Sequence, residues 1–599
     1  MMTRHRLPAI GLACLTAATS GPVAPALAQP REFDDQPSAA ECAALGFRTA
    51  PEAGYGGPVG MMRKSAPRYA PTPPPPAPPP PPVAQAAPSI PPLPVPPVER
   101  RVAPAGALQE LVVTGSRIPG SPLPEQPRDT ERYPGAVSNP IRQAATEPVS
   151  TFSVDVDTAA YANVRRFISE GQRVPGDAVR IEEMVNYFDY GYARPQDRTQ
   201  PFSTYVALAP SPWSAERQIL HIGIQGYDLT RAEPPPLNLV FLVDTSGSMW
   251  GPDRLPLAQK SLSLLIGQLR PQDRVSIVAY AGSAGAVLGP TSGREKLKMR
   301  CALGALRAGG STAGGQGLEL AYALAKERFD PKGVNRVILV TDGDFNVGIA
   351  DPSRLKDFVA EKRKDGVYLS VYGFGRGNYN DTMMQALAQN GNGTAAYVDS
   401  LQEARKLFRE DFTKSLFPIA DDVKIQVEFN PAQVSEYRLI GYETRMLARE
   451  DFNNDQVDAG EVGAGASVTA LYEITPAGAK PSADPLRYGG PPPTPGTSRE
   501  LAFLKVRYKL PGERTSKLME RPISRADAKP SLEAAPEQTR WAVAVAGFGQ
   551  KLKQDPRVPD AFGWDQVISL AQTARGADPY GERAEFVQLV RGAQGVGDK

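Results

Sequence analysis

Asn238-Leu239-Val240-Phe241-Leu242-Val243-Asp244-Thr245-Ser246-Gly247-Ser248-Met249 is the stretch whose reading decides the fold. An apolar, β-favouring run stops at an acid, and two hydroxyls follow at alternating positions. A short run that is polar only at its edges predicts a central strand covered on both faces. Parallel α/β sheets build their ligand sites beyond the carboxyl ends of their strands. Asp244, Ser246 and Ser248 then offer three oxygens from one loop at such an end. An oxygen-only donor set suits a hard divalent cation such as magnesium.

The stretch resembles the metal-ion-dependent adhesion site of von Willebrand factor type A domains, which opens Asp-x-Ser-x-Ser. Two later stretches carry the resemblance further. Gly309-Gly310-Ser311-Thr312-Ala313 matches the family's loop that supplies a Thr. Val337-Ile338-Leu339-Val340-Thr341-Asp342-Gly343 matches the strand end that supplies an Asp. The resemblance implies that Ser246, Ser248 and Thr312 touch the metal directly, while Asp244 and Asp342 hold it through waters and hydrogen-bond the hydroxyls. The direct protein ligands would then be neutral, and the ion would keep its charge for a Glu or Asp on a protein partner. Mg2+ is the expected ion, with Mn2+ or Ca2+ as alternatives. Gly247, Gly309, Gly310 and Gly343 would let the backbone approach it closely. Asp253 and Asp344 match no ligand position and read as solvated or as holding other ligands in place.

Around this motif, helices predicted over 255–269, 297–306, 315–329, 352–364, 380–389 and 401–416 alternate with strands over 274–280, 335–341, 367–374 and 395–398. That alternation predicts a doubly wound, largely parallel sheet over 236–416. Strand-like segments flank it on both sides, in 201–232 and in 417–510. The expectation is an α/β, Rossmann-like type A domain inserted into one β-sandwich. An N-terminal helical module over 148–200 opens with a strand at 149–157. Asp157 or Thr158 is expected to cap a helix through Tyr161, Val164, Phe167 and Ile168, and a second helix runs over 180–188. A C-terminal helical module over 511–597 carries helices at 537–552, 565–573 and 581–593. Ser150–Thr158, Arg180–Phe188, the Asp451–Asp455 stretch through Glu461 and the Trp541 helix resemble the extra modules of a bacterial type A protein family, over about 148–597 of the chain.

The 599 residues allow several domains. A formal net charge of +2, with no basic block beyond the first residues, argues against nucleic acid as a partner. The His residues are His5 and His221, too few for a multi-His zinc site. His221 lies in an alternating strand and reads as structural. Met1–Arg6 is basic, Leu7–Ala18 apolar, and Ala26-Leu27-Ala28 offers a cleavage point, so 1–28 reads as a secretory signal peptide, with a lipoprotein anchor on Cys14 as the rival reading. The chain is expected to be exported to the periplasm or cell surface. No later stretch is apolar for long enough to span a bilayer.

Residues 29–147 read as a disordered Pro-rich linker, with polyproline II over 71–82. Within it, Leu108-Gln109-Glu110-Leu111-Val112-Val113-Thr114-Gly115-Ser116-Arg117-Ile118 is similar to a stretch near the plug of TonB-dependent outer-membrane receptors. It reads either as a docking strand for an envelope or TonB-system partner or as an incidental β-prone patch. Cys42 falls in the linker and Cys301 in a predicted helix. A disulfide is open to them in an oxidising compartment, but a small buried side chain is the favoured reading of Cys301.

A second acidic stretch, Asp451, Asn453, Asp455 and Asp458, looks like a calcium loop. Gln456 stands where the loop wants Gly and Val462 where it wants Glu, so a turn is the simpler reading. The function expected from the whole is a metal-ion-dependent protein-binding module of the cell envelope, not an enzyme. A structural or adhesin-like surface protein is the alternative. A metal-dependent hydrolase is the weaker third, because hydroxyl-ligated magnesium activates water poorly beside zinc.

Overall fold

The computed structural model describes residues 36–49, 130–154, 156–196, 199–229, 234–310, 314–343, 352–482 and 498–597. The chain divides into two units, 1–55 with 131–599 and 56–130, and all described residues except Thr130 belong to the first.

Leu237–Asp244 is buried along its whole length. It lies between Val334–Thr341 and Arg274–Tyr280, parallel to both. Val367–Phe374 and Ala395–Val398 extend the sheet in parallel beyond Val334–Thr341. Ala284–Ser292 closes the other edge, antiparallel to Arg274–Tyr280. Alternate side chains of the central strand separate two cores. Leu239, Phe241 and Val243 meet helices Leu255–Gln268 and Lys296–Gly304 through Leu262, Leu265, Met299 and Leu303. Val240 and Leu242 meet helices Gly314–Glu327, Pro352–Lys364 and Asp381–Asn390 through Leu318, Leu355 and Met384. Each such side chain contributes roughly 1.5–3 kcal/mol of burial. This two-sided cover is the doubly wound arrangement expected from the continuous apolar runs.

The antiparallel edge strand was not among the expected elements. Its Ala284-Gly285-Ala286-Val287-Leu288-Gly289-Pro290-Thr291-Ser292 has little apolar content. Gly and Pro are tolerated there because an edge strand needs only one side of its backbone paired.

Two five-stranded sheets form the second layer. In one, Arg142–Gln143, Val434–Ile440, Ser467–Pro476, Gln218–Gly226 and Phe202–Pro210 run side by side. Val468 lies opposite Ile224 and Leu471 opposite His221, so chain from before and after the α/β domain is knitted into a single sheet. The other sheet joins Gly460–Gly463, Pro418–Phe429, Glu500–Lys509 and Lys517–Ser524, with Val149–Ser153 paired to Pro418–Phe429. The inner faces meet through aromatic pairs, Phe429 on Tyr437 at 4.1 Å and Phe202 on Tyr508 at 5.5 Å. The α/β domain is therefore inserted into a β-sandwich. The sandwich runs on through Lys517–Ser524, past the expected start of the helical module at 511.

Helices Ala159–Ser169, Ile181–Asn186, Glu537–Leu552, Trp564–Thr573 and Glu582–Gly597 share one core around Trp541, Phe188 and Phe586. That core also takes Ile219, Ile440 and Leu471 from the outer face of the first sheet. Two sequence expectations are corrected here. The stretch 29–147 contains order: Ala39–Ala44 is a helix with a Ser38–Glu41 capping box, and 131–147 packs onto the body. Thr158 makes no side-chain cap bond, and Asp157 instead accepts the Ala395 amide at 2.8 Å and pairs with Arg445 at 3.1 Å.

Candidate metal centre

Asp244 ends the central strand with no exposed surface. Its Oδ1 accepts the Ser246 amide at 2.8 Å, an acid-to-backbone turn that bends the chain as the strand stops. A single 3-10 turn, Gly247–Met249, follows. It brings the hydroxyls of Ser246 and Ser248 to 2.9 Å from one another. Thr341, at the end of the neighbouring strand, donates its hydroxyl to Asp244 Oδ2 at 3.4 Å, and the next residue is the fully buried Asp342. The Gly309–Gly310 loop is drawn in by Gly247 N–H to the Gly310 carbonyl at 3.0 Å and Gly309 N–H to the Thr245 carbonyl at 2.9 Å. Asp244, Ser246, Ser248 and Asp342 therefore converge on one end of the sheet. Thr312, like Ser311, Ala313 and Asp344, lies outside the described residues.

Gly343 fixes the turn after Asp342. Its φ is +104°, and a Cβ there would sit 2.6 Å from the Asn378 carbonyl oxygen. Asn378 donates Nδ2 to Asp342 Oδ2 at 3.0 Å, and its own buried Oδ1 has no hydrogen-bond partner among the described residues. Arg254 clips three loops together. Its guanidinium donates to the Ser248 carbonyl, lies 3.5 Å from Asp342 Oδ2, and donates to the Arg376 carbonyl at 2.6 Å. Sequence reasoning did not single out Arg254 or Asn378. Each reaches the site from a different loop, and no local spacing marks it.

Burial pushes the Asp244 carboxyl up to about 6, and the negative charge of Asp342 adds to the rise, while the hydrogen bonds from Ser246 oppose it. Two buried acids, two adjoining hydroxyls and the Asn378 amide oxygen gather in an oxygen-rich cluster, with the Arg254 guanidinium at its edge, 3.5 Å from Asp342. That donor chemistry fits a hard divalent cation. Trp250, directly after the 3-10 turn, is 62% exposed. Asp253 lies 3.8 Å from Arg376.

The acidic stretch at 451–458 behaves differently. Asp451 accepts the Ala448 amide at 3.2 Å, Asp455 takes Ser516 and Arg507, and Asp458 pairs with Arg363. Asn453 is exposed. Its acids answer separate partners, and among the described residues no three His, Cys, Asp or Glu side chains gather to hold a metal. Lys424 also donates to the carbonyls of Asp451 and Asn454 at 3.1 and 2.5 Å, filling the loop with a cation of its own.

His221 is buried, with Tyr192 Oη 2.6 Å from Nε2 and Thr539 Oγ1 3.0 Å from Nδ1, and burial holds it down at about 3. Cys301 corrects the favoured reading. It is buried, but as a disulfide partner of Cys42, 259 residues away in sequence. Residues 108–118 and Cys14 lie outside the described residues. Among the described residues no helix is long and apolar enough to cross a membrane.

Comparison with known proteins agrees with this architecture. The model of the von Willebrand factor type A domain matches residues 238–410. A model described as von Willebrand factor matches 127–221, and one described as uncharacterized protein YfbK, C-terminal, matches 414–596. Uncharacterized protein YfbK of Escherichia coli K12 is 46% identical over 477 residues, 78% of this chain and 82% of that protein. Inter-alpha-trypsin inhibitor heavy chain H2 of Sus scrofa is 25% identical over 211 residues, 34% of this chain and 22% of that protein. The solved von Willebrand factor type A protein from Catenulispora acidiphila, at 16% identity and TM-score 0.40, covers 67% of this chain and 91% of its own. With its central domain and both flanking regions matched, the chain belongs to the YfbK-like family of bacterial von Willebrand factor type A proteins.

Proposed function

We propose that this protein binds a carboxylate-bearing protein partner through a divalent cation, Mg2+ first among the candidates. The type A domain belongs to a family that typically mediates metal-dependent protein interactions. The observation that carries the reading is the meeting of the Ser246–Ser248 hydroxyl pair with Asp244 and Asp342 at the carboxyl end of the sheet. Ser246, Ser248 and Thr312 would hold the ion directly, with Asp244 and Asp342 behind them. Neutral direct ligands leave the cation charged enough to attract an acid from outside. Trp250, exposed and two residues after Ser248, would add an aromatic contact of the kind that dominates protein interfaces. Export to the periplasm or cell surface is part of the proposal, and the Cys42–Cys301 disulfide supports it, since such bonds persist in oxidising compartments.

The test is capture of crosslinked partners from an envelope extract, with magnesium or with chelator, by the wild-type protein and by Asp244→Ala. The expected result is a partner retained only by the wild type with magnesium. Equal recovery in all arms would overturn the proposal.

A further inference from the structure

Resting on the metal-binding reading above, we propose that Glu131 and Asn378 are positioning residues for the metal centre. The segment Glu131–Tyr133 straps down the loop 375–381, and that loop sets Asp342 through Asn378.

The strap is built from backbone and side chain together. Arg132 forms a parallel bridge with Asn380, its amide donating to the Tyr379 carbonyl at 3.0 Å and its carbonyl accepting the Asp381 amide at 3.0 Å. The Glu131 side chain is 4% exposed. One of its oxygens accepts the Gly377 amide at 2.8 Å, and the other takes Tyr133 Oη at 2.6 Å and Arg166 Nη2 at 2.7 Å. Charge-assisted bonds of this kind are about twice as strong as neutral ones. Neighbouring residues of the loop are held by the same N-terminal region. Arg376 pairs with Glu170 at 2.5 Å, and Asp381 takes Arg180 at 2.5 Å. Asn378 lies between these anchors, and its amide group turns to Asp342.

Two further contacts make the linkage stiff. The Gly343 turn is packed so closely on Asn378 and Asn380 that a Cβ would lie 2.6–2.7 Å from their backbone atoms. Arg254 joins the Arg376 carbonyl to the Ser248 carbonyl and to Asp342. A displaced loop would therefore move Asp342, Gly343 and Arg254 at once. The chain Glu131, Gly377, Asn378, Asp342 is short, and every link is a hydrogen bond or a peptide unit. Reciprocity follows, because if the strap tightens the metal site, a bound metal tightens the strap.

The experiment is calorimetric titration of Mn2+ into the full chain, wild type, Glu131→Ala and Asn378→Ala, with amide hydrogen exchange of the wild type with and without Mn2+. Each variant is expected to bind Mn2+ about fivefold or more weakly. Mn2+ is expected to slow exchange in 131–133 and 376–381 of the wild type, a response that a merely structural contact would not give. Wild-type affinity in both variants overturns the inference, and so does exchange in those segments that ignores the metal. If either variant fails to fold, the wild-type exchange result decides alone. No Mn2+ binding by the wild type would overturn the metal reading itself, and this inference with it.

Discussion

Asp244 and Asp342 are two carboxylates without exposed surface, and burial, with a smaller push from the charge of Asp342, raises the Asp244 carboxyl. Without a cation this arrangement costs stability near neutral pH, because Asp244 is ionised against a folded-state value of about 6. Asp244→Asn is therefore expected to be more stable than the wild type in chelator by about 1–3 kcal/mol, and so to melt higher, while losing any stabilisation by added magnesium. Differential scanning fluorimetry in both conditions checks it. A melting temperature at or below the wild type in chelator would contradict it. His221 gives the opposite pH behaviour. Its folded value of about 3 lies below the ordinary 6.5, so its contribution is whole above pH 6.5 and is lost as pH falls towards 3. Over that window the folding constant should drop about tenfold per pH unit on this account. Urea unfolding at pH 7 and pH 5 is expected to show a smaller loss in His221→Gln than in the wild type. At this scale the sequence showed Asp244, Ser246 and Ser248 because they alternate within one short stretch. Arg254, Asn378 and Glu131 were not legible, since tertiary approach alone gives them their roles.

The central strand was readable as an element because a fully buried strand is apolar at every position, and Val337–Val340 repeats the pattern beside it. Ala284–Ser292 was not, because an edge strand half open to solvent carries no such signal. The helix Ala39–Ala44 shows a different limit. It is six residues long, too short to announce itself by periodicity. What anchors it is the bond from Cys42 to Cys301 on the helix Lys296–Gly304, and two cysteines so far apart in sequence do not name each other. That helix leads directly into the Gly309–Gly310 loop of the candidate metal centre. Cys301→Ser is expected to lower stability by about 2–4 kcal/mol. Added reductant should bring the wild type to the melting temperature of the variant and leave the variant unmoved. Equal melting of the two proteins without reductant would contradict the constraint.

In the whole molecule the α/β domain is held between strands that precede it and strands that follow it. The alternation of strand-like segments on both sides made this insertion legible, although the extension to Lys517–Ser524 was hidden behind an expected helical module. Because Gln218–Gly226 pairs along its length with Ser467–Pro476, limited proteolysis in loops of the inserted domain is expected to leave 202–226 and 467–476 associated under native conditions. Free release of either fragment would contradict the shared sheet. Buried charges join the modules as well. Arg165 on the N-terminal helix reaches Asp399 and Glu403 of the α/β domain and Glu585 of the C-terminal helix, at 2.5, 2.7 and 2.9 Å. These contacts fix the body that presents the candidate metal centre, on which the proposed function rests. The most direct measurement is a calorimetric titration of Mg2+ into chelator-stripped protein, with Asp342→Ala beside it. One saturable binding event in the wild type and none in the variant is predicted. No heat in the wild type, or the same heat in both, would contradict a metal ion held between Ser246, Ser248 and the two acids.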